Sequence, residues 1–321
     1  MKKIIYSFAL ALVFVSCEKE ELPVAPHAAG SAITSTVNME VNYKWQIYFD
    51  LETNRVVGQS LKTSWDLGFE TGENDFRIIV NSAKSMFALN TGDTAFVSLT
   101  DTSGFAFGKT WDASSGNMDS TAIGNWTAGH NTYIIDRGYN ENGQHQGFRK
   151  VRFENVTASA YSVRFANMNG TGEAVVSVPK DSLYNFSFLS LSGTGAIISV
   201  EPPKHDWDLV FSQYTYIFHD PFQPYLVTGC LLNRYQTTAA RDTLAVFGDI
   251  TFQSLSNFNL VNSIDIIGYD WKVFDGVSYV TDPTINFIIL DQHGYYYKLH
   301  FLDFYDAGGV KGNPKWEFQR L

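Results

Sequence analysis

The sequence predicts an all-β protein, built of antiparallel sheets in a sandwich-like arrangement with at most short helices. Three observations carry that prediction. Apolar residues make up 45% of the 321 positions and charged residues 17%, a balance that folds a chain rather than leaving it disordered. The 7 Trp, 17 Tyr and 25 Phe are side chains that favour strands and broad flat contacts. Short alternating or apolar runs recur between Gly, Asn and Asp, and no window carries a capped helical stripe.

At the N-terminus, Lys2 and Lys3 precede an apolar run from Ile4 to Val15, followed by Ser16-Cys17 and then Glu18-Lys19-Glu20-Glu21. The run is too short to span a bilayer. Residues 1–16 resemble a bacterial lipoprotein signal peptide, with cleavage before Cys17 leaving a lipid-modified N-terminal Cys. The acidic residues behind Cys17 resemble the surface-export signal of Bacteroidota lipoproteins, which implies a lipid-anchored, outward-facing protein of the outer membrane. Residues 17–40, rich in Ala, Pro, Ser and Thr, read as the lipidated Cys and a flexible tether. With Cys17 lipidated, Cys230 is the remaining thiol, so no intramolecular disulfide and no thiolate metal cage is expected. Its apolar neighbours predict a buried, inert thiol.

From residue 41 to 321 the runs Trp45 to Leu51, Trp65 to Phe69, Phe76 to Val80, Tyr161 to Phe165, Ala196 to Val200, Trp207 to Phe211, Phe287 to Leu290 and Tyr295 to Phe304 predict strands. One pattern occurs twice. Ser64-Trp65-Asp66-Leu67-Gly68-Phe69 returns as Asp206-Trp207-Asp208-Leu209-Val210-Phe211, each copy behind a Lys (Lys62, Lys204) and an aliphatic pair (Val56-Val57, Ile197-Ile198). Further upstream lie Tyr48-Phe49-Asp50-Leu51 and Phe188-Leu189-Ser190-Leu191. Strand alternation predicts that Trp, Leu and Phe of each copy share one face while the Asp points to the other. The copies mark two half-domains, 41–175 and 176–321, divided near Asn169-Gly-Thr-Gly172 and Pro179.

The formal charge of −10 offers no phosphate-binding field, which argues against nucleic acid as a partner. Enzyme signatures are missing: there is no Gly-x-Ser-x-Gly elbow, His-Glu-x-x-His, phosphate-cradling Gly loop or Cys/His cluster at metal spacing. Asp66 and Asp208 are a tempting carboxylate pair, yet one Asp per repeat reads as a ligand for neighbouring backbone or Lys groups. A non-enzymatic role is expected.

Trp65-Asp-Leu-Gly-Phe69, Ile78-Ile-Val-Asn81 and Met86-Phe-Ala-Leu-Asn-Thr-Gly-Asp-Thr-Ala-Phe96 resemble the start of the HmuY family of haem-binding lipoproteins. Gly268-Tyr-Asp-Trp-Lys272, Tyr296-Tyr-Lys-Leu-His-Phe-Leu-Asp-Phe-Tyr305, Lys311-Gly-Asn-Pro314 and Phe318 resemble its ending. By that resemblance the chain would be a longer variant, with a second Trp-Asp-Leu copy and a middle that the resemblance does not cover. The resemblance implies an antiparallel β fold, outer-membrane anchoring, and capture of haem or a related tetrapyrrole between loops for delivery to a TonB-dependent transporter.

A haem site needs axial ligands, an apolar slot and partners for the propionates. His219 is the leading ligand candidate, because it follows Tyr214-Thr-Tyr-Ile-Phe218 and precedes Asp220-Pro221-Phe222 in an aromatic-dense segment; Tyr216 belongs to the same segment. His130 and His145 bracket Tyr133, Arg137 and Tyr139 in a Gly/Asn-rich stretch that could bring both to one iron. Met86 is a possible soft ligand. His293 sits in a hairpin tip, and His205 and His300 read as packing or surface residues. The alternative is a surface β-sandwich that binds glycans or a partner protein through Trp111, Trp126 and Tyr139. An axial His or Met separates the two readings, since glycan stacking survives its removal and iron ligation does not.

Overall fold

The computed structural model describes residues 29–104 and 107–321; the signal-like residues 1–16, Cys17 and the first half of the 17–40 segment lie outside the described residues. Apart from four short 3-10 turns, its regular elements are β-strands, and every strand pairing is antiparallel. Each of the eight runs read from the sequence overlaps a strand. The all-β expectation therefore holds in type and in place.

The repeat is structural, and its copies exchange partners. Leu67–Glu70 pairs with Phe186–Ser190, which lies upstream of the second copy, while the start of Leu209–His219 pairs with Trp45–Asp50, upstream of the first. Each tie has the same details. The Asp66 amide donates to Leu189 O at 2.9 Å and its Oδ2 accepts the Leu191 amide at 2.6 Å. The Asp208 amide likewise donates to Phe49 O at 2.9 Å, and its Oδ2 accepts the Leu51 amide at 2.8 Å. Asn81 Nδ2 donates to the carbonyls of Lys62 and Trp65, as Asn233 Nδ2 does to those of Lys204 and Trp207. Trp65 meets Phe188 edge-on at 4.7 Å, and Trp207 meets Tyr48 at 4.9 Å.

The alternation expected within each copy fails at the Trp. Strand geometry begins only at Leu67 and Leu209, so Trp65 and Trp207 are not held to the strand period. Leu67 and Phe69 enter one large core and Leu209 and Phe211 another, whereas each Trp packs in a separate smaller cluster. Both large cores draw on both stretches of chain. Leu189 and Leu191 complete the core of residues 67–178, and Val37, Met39, Ile47, Phe49 and Leu51 complete that of residues 209–318.

The two buried acids differ in what surrounds them. Asp66 is paired with Lys84 Nζ and receives Arg137 Nε at 3.2 Å and Nη2 at 3.1 Å. In the second copy the residue following the matching strand, Asn286–Leu290, is Asp291 where the first has Arg137 after Thr132–Asp136. Asp208 Oδ1, Asp291 Oδ2 and the Tyr297 hydroxyl are all buried without a hydrogen-bond partner. Burial pushes the Asp208 carboxyl up to about 8 against the Leu51 amide bond, and the nearby Asp291 and Asp50 add to the rise.

These environments predict opposite responses to the same substitution. Asp66→Asn strands Lys84 and Arg137 as unpaired buried cations and lowers unfolding free energy by about 3–5 kcal/mol. Asp208 is protonated in both states below its unfolded pKa of ~4. Between there and about 8 the unfolded chain loses the proton and the folded chain keeps it, so stability falls as pH rises, by up to ~1.4 kcal/mol per unit. Asp208→Asn, which retains an acceptor for the Leu51 amide, removes that slope and stabilises the protein at pH 8. Urea unfolding of both variants from pH 4 to pH 8 checks the pair.

Candidate functional site

The hairpin Leu209–His219 and Phe222–Leu232 has two strands of 11 residues in continuous register. Aromatics at alternating positions fall on one face: Tyr214, Tyr216 and Phe218 lie opposite Val227, Tyr225 and Gln223. Tyr216 sits 5.1 Å from both Phe218 and Tyr269, and Phe218 is 6.4 Å from Tyr225. Phe222–Leu232 is the edge strand of its sheet. Towards its end Cys230 exchanges backbone hydrogen bonds with Gly268, at 2.9 and 3.0 Å. Burial pushes the Cys230 thiol well above its usual range, as an inert thiol requires.

Between the outer part of this edge and the small hairpin Lys272–Phe274 with Tyr279–Thr281 runs a groove of about 550 Å³. Tyr43, Phe218, Tyr225, Tyr269, Phe274 and Tyr279 give it aromatic walls. Tyr225 and Phe274 are each 56% exposed and Val273 63%, so the groove holds apolar surface that the fold leaves uncovered. Two amines stand along it. Lys311 Nζ lies 5.5 Å over the Tyr43 ring. Lys272 Nζ donates to Thr228 O at 2.6 Å and Tyr269 O at 3.2 Å, and burial pulls its pKa down to about 7 against the pull of Asp270. Burial also raises the Tyr43, Tyr269 and Tyr279 phenols, so at neutral pH these rings offer faces and neutral hydroxyls. Such a wall takes a flat apolar ligand with acidic substituents.

The residues singled out from sequence are scattered. His219 pairs in register with Phe222 at the hairpin tip, on the face opposite Phe218, and does not line the groove. The Phe222 ring packs 5.8 Å from Trp111. Tyr216 belongs to the aromatic ladder behind the groove wall. His130 and His145 flank Thr132–Asp136 at opposite ends, a span of ~13 Å or more at strand rise, so the structure does not bring them to one iron. His130 Nδ1 meets Phe153 O at 3.2 Å, and His145 Nε2 meets Asp136 Oδ1 at 2.7 Å between the rings of Tyr139 and Phe148. Met86 is fully buried in the core, which closes it to a porphyrin. Trp126, expected at the surface as a binding residue, is buried too, with Nε1 donating to Phe76 O and its ring in the first core. Among the described residues no group of three or more His, Cys, Asp or Glu is arranged for a metal ion.

Sequence reasoning missed Tyr225, Tyr269, Lys272, Phe274 and Lys311 as a site. The Tyr-Thr-Tyr-Ile-Phe alternation was visible, but the approach of residues 268–281 to the edge strand is a contact between segments some forty residues apart in sequence.

The HmuY protein family profile matches residues 42–184, which links this stretch of the chain to that family. Of the groove walls only Tyr43 lies within it. No curated protein matches the chain. Among solved structures, apo PinO from Porphyromonas gingivitis aligns over 91% of this chain and 97% of its own at 10% identity, with a TM-score of 0.32. The apo HmuY analog of Tannerella forsythia aligns over 91% and 97% at 10% identity and 0.26. A protein of Bacteroides vulgatus described as HmuY-like and heme-binding aligns over 89% and 90% at 9% identity and 0.23.

The floor of the groove depends on one glycine. A Cβ on Gly229 would stand 2.2 Å from Gly268 O and 2.7 Å from its carbonyl carbon. Gly229→Ala therefore drives residues 268–270 off the edge strand, at a cost of about 1–3 kcal/mol. Faster amide exchange at Cys230 and Gly268, with the distant Leu67–Val80 pairing unchanged, is the expected readout.

Proposed function

We propose that the protein is a non-enzymatic surface lipoprotein that binds haem or a related tetrapyrrole in the groove beside Phe222–Leu232 and passes it to an outer-membrane transporter. The observation that carries this reading is the groove itself, an exposed aromatic slot with amines at hand. Six aromatic rings supply the flat contacts a porphyrin face requires, and the exposed Lys311 supplies charge for a propionate. The link of residues 42–184 to the HmuY family and the lipoprotein-like start, with Cys17 as the anchor, support the same reading. None of the described helices is long and apolar enough to cross a membrane. Among the described residues no His or Met lines the groove, so the contact energy resides in ring stacking, and an iron bound there would meet phenol or water oxygen rather than imidazole.

For the alternative, glycans or a partner protein held by Trp111, Trp126 and Tyr139, Trp126 is buried and Trp111 packs between Phe87 and Phe222, which leaves Tyr139, 50% exposed, as the open ring of the three.

Haemin titrated into the chain from residue 18 onward is expected to bind saturably, one to one, with a Soret band lacking the signature of bis-His ligation. Tyr225→Ala with Phe274→Ala weakens binding about tenfold or more, the order expected for uncovering two aromatic contacts. His219→Ala leaves affinity and spectrum unchanged. A loss of binding in His219→Ala, with the groove variant unaffected, contradicts the proposal.

A further inference from the structure

A second cavity, on another part of the molecule from the groove, has a different chemistry. It is a cleft of about 670 Å³ between the loop after Leu67–Glu70, the segment before the 3-10 turn Met118–Ser120, and the chain that follows Phe222–Leu232. Its size falls in the ~300–1,000 Å³ range of small-molecule sites. Two acids, Glu70 and Asp75, and two bases, Lys204 and Arg234, line it together with Tyr184 and Tyr235. In a chain of charge −10, this wall is balanced.

Arg234 is the informative member. Its guanidinium lies over the Phe186 ring at 5.3 Å, and its Nη1 donates to Gly116 O with Met118 Sδ at 3.5 Å. Nε and Nη2 have no acceptor among the described residues and are open to solvent, so the guanidinium has N–H donors to offer a ligand. On the opposite side of the ledger, Glu70 uses Oε2 for the Arg77 amide and Asp75 uses Oδ2 for the Gly72 amide, leaving one oxygen of each carboxylate free. Lys204 Nζ rests 4.6 Å over Tyr235, and Asn262 lines the same cleft.

We infer that this cleft binds a neutral carbohydrate of one or two rings. An anion would meet Glu70 and Asp75, and a cation would meet Arg234 and Lys204. A sugar hydroxyl donates and accepts at once, so it suits free donors and free acceptors set side by side, and Tyr184 and Tyr235 add aromatic lining. A free amino acid also carries both characters, but its small size leaves most of the cleft to water. The site is independent of the tetrapyrrole groove.

Isothermal titration and saturation-transfer NMR of the full chain with maltose, cellobiose, lactose and N-acetylglucosamine test it. Saturable one-to-one binding of at least one of these is expected, weakened about tenfold by Arg234→Gln or Glu70→Gln, as loss of a hydrogen bond to a charged group dictates. Tyr225→Ala in the groove leaves it unchanged. Should Arg234→Gln fail to fold, Lys204→Ala and Asn262→Ala read out the same wall. The inference is overturned if none of the four sugars saturates, if glutamate or glycine binds and no sugar does, or if sugar binding survives every one of these cleft variants.

Discussion

Two buried aspartates tie the chain to itself. Asp66 and Asp208 each take the amide of a leucine that lies over a hundred residues away, Leu191 and Leu51. Through those contacts each Trp-Asp-Leu copy is built into a sheet whose next strand comes from the approach to the other copy. Neither large core closes without this exchange, since Leu189 and Leu191 belong to one and Phe49 and Leu51 to the other. An amide buried beside an apolar core needs an acceptor, and a carboxylate in the turn before the strand supplies one that no apolar residue could. The Asn that follows each copy then holds the turn through the carbonyls of the Lys and Trp.

Equal geometry with unequal charge makes the two Trp-Asp-Leu copies physically different. Lys84 and Arg137 compensate Asp66. Asp208 faces Asp291 instead and holds its proton at neutral pH. A buried ion pair adds little net stability over an apolar packing of the same volume, so the first arrangement fixes the pairing rather than strengthening it. The second costs stability as pH rises. The groove and the second Trp-Asp-Leu copy share one hairpin, which therefore belongs to the half whose keystone is the less compensated.

The strands were legible because alternation and turn residues are local signals, and the repeat was legible because its flanks repeat as well. The exchange between copies was not, since nothing local says whether Leu67–Glu70 pairs with its own approach or with the other one. The same limit governed the site. Tyr216 and Phe218 could be read as one face of a strand, and His219, one residue on, falls by the same rule on the other. His130 and His145 are close in sequence, but the strand between them holds them apart. Met86 and Trp126 resemble binding residues in composition alone; burial in the first core consumed both. The aromatic excess thus splits between two enclosed cores and one open groove, and only tertiary contact decides which ring goes where.

The most direct test of the groove is a map of amide shifts on adding gallium protoporphyrin, a diamagnetic flat tetrapyrrole with both propionates. The structure predicts shifts concentrated in residues 223–228 and 269–279, with those near Lys311 following. Shifts centred instead on residues 126–148, or on the His219 tip alone, would contradict it.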